Sequence, residues 1–162
     1  MKRIFCLLIF AFISVSLCSC GESINMSILT EYQNRDFQAE LKLAHTGKEQ
    51  KCSFEKSEGR FFLRLDELSG FTFVMDEGGT GIISGDTEIP LENAEFPLYE
   101  LYRIFSLPVA GAWKIEKTRL GGVSVYVCES GGITLYIDAS SHLPLKITSD
   151  ELNADVLSFK EK

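Results

Sequence analysis

The chain has 162 residues, of which 45% are hydrophobic, and its formal net charge is −7. This length fits one domain that buries about two-thirds of its surface. The acidic balance, without any basic run, argues against a nucleic-acid partner and against electrostatic binding to anionic lipid.

The N-terminus has the order of an export signal. Lys2 and Arg3 precede an apolar run over residues 4–15, and small residues follow it. This order is typical of a secretory signal peptide. An uncleaved transmembrane helix is one alternative, but residues 4–19 are only 16 residues, and a span needs about 20. A second alternative is a simple secretory signal in which Cys20 has no role.

The end of this segment, LCSCG at residues 17–21, resembles the lipobox of bacterial lipoproteins. The resemblance implies cleavage before Cys20 and a diacylglycerol on its thiol, with no other cofactor. It places the mature chain on the extracytoplasmic face of a bacterial cell membrane, held by its acyl chains. The predicted organisation is a signal peptide at 1–19, a lipid-anchor tether at 20–33 and a single domain at 34–162.

From residue 37 the hydrophobic pattern is that of β-strands. Phe37, Ala39, Leu41 and Leu43 alternate with polar residues, which is typical of a half-buried strand. Further short runs, separated by turns rich in glycine, follow as far as residue 159. They predict an antiparallel sheet of eight or nine strands, which the family resemblance given below implies to be curved.

One segment has the spacing of a helix instead. Leu98, Leu101, Tyr102 and Phe105 fall at i, i+3, i+4 and i+7, and Pro97 suits a first helical turn. Together with the strands, this internal amphipathic helix predicts the α+β class, with room for a short helix before the first strand.

Two cysteines remain once the signal is removed and Cys20 is lipidated. Cys52 shares the apolar face of its strand with Phe54, whereas Cys128 alternates with Val125 and Val127. The compartment permits a disulfide, but two buried or half-buried free thiols are favoured.

The order of elements behind a lipobox resembles the lipoprotein-carrier superfamily of the Lol type. The most specific match is a strand ending at Asp138, then a turn, Leu143-Pro144 and another strand. The resemblance implies an antiparallel half-barrel whose open side is plugged by helices. The chain is also similar to small lipoproteins of spore-forming bacteria. It lacks the carriers' long N-terminal helix.

The sequence predicts neither a catalytic residue nor a metal site. His45 and His142 lie in predicted turns without a Cys, Asp or Glu at metal-ligand spacing. Ser84 lacks the glycine two residues earlier that a nucleophile elbow requires. An enzyme is therefore the least favoured of the three functions considered.

The many large aromatic residues indicate either a packed core or a hydrophobic cavity. A cavity beneath the helix would bind an acyl chain or an apolar peptide. The residues of this predicted pocket are Phe71, Phe73, Leu98, Leu101, Tyr102 and Phe105.

Two functions follow from these alternatives. The first hypothesis is a non-catalytic, membrane-anchored binding or accessory module that contacts a protein partner. The second is a carrier of lipid or lipoprotein, with its cavity under the helix at residues 98–105. A continuous apolar pocket would favour the carrier, whereas a filled core with an exposed Phe62 would favour the partner-binding module.

Overall fold

The computed structural model describes residues 26–29, 31–45, 47–91, 97–106 and 113–162. The predicted signal peptide and the lipidation site at Cys20 lie outside these ranges. No helix within them combines the length and the apolar character needed to cross a membrane.

Eleven antiparallel strands form one sheet, in the order β6-β5-β4-β3-β2-β1-β11-β10-β9-β8-β7. The strands are β1 Phe37–His45, β2 Lys48–Ser57, β3 Arg60–Leu65, β4 Phe71–Asp76, β5 Gly79–Ser84, β6 Thr87–Leu91, β7 Lys114–Leu120, β8 Val123–Ser130, β9 Ile133–Asp138, β10 Pro144–Thr148 and β11 Leu152–Glu161. The helix α1 spans Pro97–Ser106, and short 3-10 turns lie at Met26–Leu29, Tyr32–Asn34 and Asp66–Leu68.

The predicted α+β class is wrong. Over the described ranges, α1 is one ten-residue α-helix beside eleven strands, so the domain is essentially all-β. The sheet is an open one whose edges are β6 and β7, which replaces the predicted half-barrel of eight or nine strands plugged by helices. Among the strands, β6 was not predicted, because it is mostly exposed and has no apolar alternation to reveal it.

The first strand lies at the centre of the sheet. β1 pairs along its whole length with β2 on one side and with the C-terminal strand β11 on the other. Its side chains Phe37, Ala39, Leu41 and Leu43 are fully buried on one face, which we call the inner face. The apolar alternation therefore marks the strand around which the core is built.

Helix α1 covers part of this inner face. Leu101, Ile104 and Phe105 are buried, whereas Tyr99 is 49% exposed. The spacing of the buried residues is that of a single apolar stripe on a helix. The stripe packs onto the aromatic side chains of the central strands.

Residues 31–36, which we call the strap, lead into β1 and are tied to distant parts of the sheet. Arg35 forms salt bridges with Glu161 at 2.5 Å and with Glu31 at 3.2 Å. Glu31 also lies 3.1 Å from Nδ1 of His142, in the turn between β9 and β10. The strap therefore links the start of β1 to β11 and to the β9–β10 turn.

The strap also holds α1. Gln33, which is buried, donates a hydrogen bond of 3.1 Å from Nε2 to the carbonyl oxygen of Ile104. Lys56 donates to the carbonyl oxygen of Gln33 at 2.5 Å. Tyr32 is 1% exposed. The last residues of the predicted tether are thus packed into the domain.

The two described cysteines are free and buried, as predicted. Burial raises the pKa of the Cys52 thiol to about 12 and that of Cys128 to about 11. Because the thiolate is the reactive form, we expect neither to react with an aromatic disulfide reagent at pH 8 in the native state. Both should react in 6 M guanidinium chloride, counted by absorbance in a chain with Cys6, Cys18 and Cys20 replaced by Ser, so that only these two thiols remain. One fast native thiol would contradict the burial.

Asp138 organises the turn between β9 and β10. Its Oδ1 accepts hydrogen bonds at 2.8 Å from the backbone N–H groups of Ser140 and Ser141. A further bond from the Ser140 hydroxyl is the largest cause that lowers the pKa of Asp138 to about 2. The turn thereby gains stability only while this carboxylate is ionised.

The pH dependence of this stabilisation has a definite sign. With the folded pKa below the unfolded value, stability is fully present above about pH 4 and is lost as the pH falls toward 2. We expect Asp138→Asn to cost about 0.5–1 kcal/mol at pH 7, since solvent screens this exposed group. The urea midpoints of Asp138→Asn and of the native chain, measured at pH 7, 4 and 2.5, should differ most at pH 7 and converge as the pH falls. A constant difference would contradict this account.

Candidate functional site

Seven aromatic rings pack together beneath and beside α1. This aromatic cluster consists of Tyr32, Phe37, Phe54, Phe61, Tyr102, Phe105 and Phe159. Phe105 is central, with ring centroids 5.0 Å from Phe54, 5.2 Å from Phe37 and 5.5 Å from Tyr32. These are ordinary contact distances between aromatic rings. The space around Phe105 is therefore filled by side chains from the strap, β1 and β2.

The structure brings together only part of the predicted pocket. Leu101, Phe105 and Phe73 are buried, and Tyr102 packs edge-on against Phe61 at 5.2 Å. The side chain of Leu98 lies outside the described residues. Phe71, by contrast, is 46% exposed at the start of β4.

Phe62 is half-buried on the outer face. The guanidinium of Arg60 lies 5.6 Å from the centre of its ring. Arg60 is itself held by Glu88 at 2.7 Å and by Asp76 at 3.2 Å. Phe62 is thus covered by a salt-bridged cation rather than presented as a contact surface.

A cleft opens at the turn that joins β3 to β4. We call it the β3–β4 cleft; its volume is about 430 Å³. Two exposed apolar residues contribute to it, Leu68 at 42% and Phe71 at 46% exposure. The full lining is Arg64, Leu65, Asp66, Leu68, Ser69, Gly70, Phe71, Thr72, Ile83 and Gly85.

The charges around the β3–β4 cleft are unevenly compensated. Arg64 is bound to Glu55 at 3.1 Å, and Lys162 binds the same carboxylate at 2.5 Å. Asp66, Glu67 and, in the adjoining β5–β6 turn, Asp86 are exposed. Across the described ranges, no salt bridge joins any of these three to a cation. Of these three residues only Asp66 lines the cleft, beside Arg64, and polar and apolar groups line it in similar measure.

The described residues offer contact surfaces more readily than reactive groups. They contain no group of three or more His, Cys, Asp or Glu side chains able to hold a metal ion. His142 is engaged by Glu31, and His45 ends β1. The cleft offers the exposed side chains of Leu68 and Phe71 beside the charged groups of Arg64 and Asp66.

No protein-family model and no curated protein matches the chain. Several solved structures are similar to the chain. The MucA/MucB complex of Pseudomonas aeruginosa is 17% identical over 84% of this chain and 55% of that chain, with a TM-score of 0.46. The lipoprotein LppX of Mycobacterium tuberculosis is 10% identical over 85% and 91%, with a TM-score of 0.44. A DUF1329 family protein from Desulfovibrio piger is 8% identical over 85% and 90%, with a TM-score of 0.43.

This chain spans about half the length of the MucB chains. At such identities the likenesses concern the fold alone. The similarity to lipoproteins of spore-forming bacteria stays a prediction from the sequence.

Proposed function

We propose that the protein is a non-catalytic binding or accessory module, lipid-anchored at Cys20 on the extracytoplasmic face of a bacterial membrane, that contacts a protein partner. The observation that supports this function over a carrier is the packing of Phe105. A carrier cavity for an acyl chain has a volume of about 300–1,000 Å³, and rings occupy the space around Phe105 where the sequence placed such a cavity.

Opening that space would be costly. Phe105 is 1% exposed and contacts three rings of the aromatic cluster. Buried aromatic side chains stabilise a fold by about 3–5 kcal/mol relative to Ala, which is a large share of the stability of a small domain. The surface is therefore the better place to look for a binding site.

The anchor is proposed from the sequence, and the start of the described chain fits it. Ten residues lie between Cys20 and Glu31, the first residue of the strap, so the distance between these two residues is at most about 38 Å. The sheet would stay close to the bilayer. Its partner would then be another protein of the same membrane face.

Lipidation is tested by labelling with an alkyne analogue of palmitate in a bacterial host. We expect the native chain and Cys18→Ser to incorporate the label and Cys20→Ser to lose it. Cys18 is the matched control because it stands two residues from Cys20 in the same motif. Equal labelling of Cys18→Ser and Cys20→Ser would contradict the anchor.

The choice between partner and carrier is tested by native mass spectrometry of the Cys20→Ser chain purified from membrane extract. We expect the bare polypeptide mass, because the inner face around Phe105 is filled. Co-purifying lipid that is lost on replacing Leu101 and Phe105 by polar residues would establish the carrier function instead.

A further inference from the structure

We propose that the tip of the β7–β8 hairpin inserts into the surface of the bilayer that holds the lipid anchor. The hairpin tip consists of Arg119, Leu120, Gly121, Gly122 and Val123, where β7 turns into β8. This inference rests on the proposed function and gives the anchored domain a second contact with the membrane. It is carried by the exposed apolar pair at the tip, by the position of the tip beside the strap and by the local charge.

Two large apolar residues are exposed side by side at the hairpin tip. Leu120 pairs with Val123 across the turn, and the two are 43% and 45% exposed. Val125, on the same face of β8, is fully buried, so the exposure begins where the sheet ends. Because Leu120 and Val123 lie at the end of a hairpin, a lipid surface can cover them without any change in the fold.

The hairpin tip lies at the end of the sheet where β1 begins. Neighbouring strands are antiparallel in the order β1-β11-β10-β9-β8-β7, so their directions alternate. β8 therefore begins, and β7 ends, on the side of the sheet where β1 begins. The register agrees, because the row of paired residues through Leu41 reaches β7 near Lys117. From these two residues, Phe37 and Leu120 lie four and three residues away in the same direction.

Contacts connect the strap to the hairpin tip through the β9–β10 turn. On one side of this turn, Glu31 of the strap lies 3.1 Å from Nδ1 of His142. On the other side, the backbone N–H of Ala139 donates a hydrogen bond of 2.9 Å to the carbonyl oxygen of Ser124. Ser124 follows Val123 in β8. The strap and the hairpin tip therefore flank the same turn.

The tether is short enough to keep this end of the sheet near the membrane. The described chain begins at Met26, six residues after Cys20, and six extended residues span at most about 22 Å. From there the chain is held to the strap, because the N–H of Glu31 donates to the carbonyl oxygen of Ser27 at 2.9 Å. An anchor at Cys20 therefore holds the strap, and with it the neighbouring hairpin tip, close to the lipid headgroups.

Two cations beside the apolar pair have no carboxylate partner among the described residues. Lys117, whose ammonium lies over an aromatic ring, and Arg119 are exposed on β7, and neither belongs to a salt bridge within those ranges. The carboxylates nearby are occupied, since serine N–H and hydroxyl groups bind Asp138 and Arg35 binds Glu31 at 3.2 Å. The two cations can therefore bind lipid phosphates.

The chain as a whole is acidic, so the hairpin tip depends on the anchor to meet an anionic surface. Charges more than about 8 Å apart are largely screened at physiological ionic strength, so distant carboxylates oppose the contact only weakly. The anchor keeps the tip at the membrane and thereby raises its effective concentration there. The inserted tip then fixes the orientation of the sheet on the bilayer.

Quenching of a fluorophore by spin-labelled lipid tests the insertion. The full chain, as processed by a bacterial host, carries Val123→Cys with the fluorophore NBD on the new thiol. It is reconstituted into vesicles of phosphatidylcholine and phosphatidylglycerol that have nitroxide groups near the top of the acyl chains. The thiols of Cys52 and Cys128 are buried, so the fluorophore reacts at position 123. We expect strong quenching, because an inserted tip reaches the boundary between headgroups and acyl chains.

Leu68→Cys with the same fluorophore is the matched control. Leu68 is 42% exposed, close to the 45% of Val123. It follows β3, which begins in the row of Phe37 and runs away from it. Quenching at position 123 should be at least about threefold stronger than at position 68. Because both positions carry the same apolar fluorophore, the difference measures the orientation of the protein.

Two variants assign the insertion to the hairpin tip. On the Val123→Cys background, Leu120→Ser should reduce the quenching about threefold. Lys117→Glu with Arg119→Glu should reduce it more in vesicles that contain phosphatidylglycerol than in phosphatidylcholine alone. All of these side chains are exposed, so the variants should keep the circular dichroism spectrum of the native chain.

Three results would overturn the inference: equal quenching at positions 123 and 68, stronger quenching at position 68, or quenching at position 123 that neither variant changes. A dimer that only Leu120→Ser dissociates would assign the hairpin tip to a second copy of the chain and would also overturn it.

A chain of residues 21–162, which keeps every described residue, separates the hairpin tip from the anchor. If palmitate labelling fails while the fluorophore at position 123 of this chain is quenched at high lipid concentration, the insertion stands and the anchor falls. If palmitate labelling holds while positions 123 and 68 are quenched alike, the anchor stands and the insertion falls. Failure of both the labelling and the quenching would overturn both.

Discussion

Replacement of Phe105 by Ala is expected to lower the free energy of unfolding by about 3–5 kcal/mol. The loss combines the transfer of a buried ring with the cavity left among Tyr32, Phe37 and Phe54, whose centroids lie within 5.5 Å of it. Side chains on three separate elements would have to move to refill that volume. Urea denaturation followed by circular dichroism measures the change.

Tyr99→Ala is the matched control for this prediction. Tyr99 lies on the same helix but is 49% exposed, so its replacement should change the stability by no more than about 0.5 kcal/mol. Equal effects of the two substitutions would mean that Phe105 does not belong to the core. A Phe105→Ala chain of native stability that gains a bound lipid would instead support the carrier function.

Replacement of Gln33 by Leu is expected to cost about 1–3 kcal/mol. The amide of Gln33 donates a hydrogen bond of 3.1 Å to the Ile104 carbonyl near the end of α1. A buried carbonyl that loses its donor costs the fold the desolvation free energy of that group. Leu keeps the apolar bulk of the side chain. Hydrogen exchange should also become faster in α1, because the strap no longer ties the helix to the sheet.

Asn34→Ala is the control for Gln33. Asn34 is the next residue of the strap and is exposed, so its loss should leave both the unfolding midpoint and the exchange rates near native values. If Gln33→Leu changed stability without faster exchange in α1, the contribution of Gln33 would be local to the strap.

The parts of the fold that follow from sequence are those in which every other side chain is buried. In β1 the apolar period of two is unbroken because the strand lies between β2 and β11 at the centre of the sheet, where its inner face is covered by the core. The two cysteines are free as predicted, but the parity argument for them was wrong. Cys128 pairs with Leu135, which leads through β10 and β11 to Leu43, so Cys128 lies on the inner face, as Cys52 does. A strand that is buried on one face has apolar residues at every second position, and this alternation is what the sequence analysis detects.

The fold class was missed where burial is absent. β6 has four exposed residues out of five, and six of the seven residues of β7 are exposed. Edge strands are specified by backbone pairing with one neighbour, which leaves little hydrophobic pattern. The helical spacing around Leu101 correctly predicted a helix. Because that helix has only ten residues, it does not make the domain α+β.

The candidate site was missed for a different reason. Phe71 shares the parity of Phe73 in β4 and was therefore assigned to the interior, yet it lies beyond the covered part of the strand. Leu68 had no periodic partner at all. The only signal was a leucine in a turn between an acidic pair and Ser69-Gly70. Its neighbours in the cleft come from the β4 and β5 strands, which pairing alone brings together.

The open sheet has two edge strands, β6 and β7, and each has a residue that disfavours pairing with a strand of another molecule. Pro90 on β6 has no N–H to offer an incoming strand. On β7, Lys117 has the parity of the inner face and lies 5.6 Å from the ring of Tyr126, so a strand added there would meet a charge. Copies held on one membrane by the proposed anchor at Cys20 would meet often, because diffusion there is confined to two dimensions. Such edges would let them crowd together without fusing into fibrils.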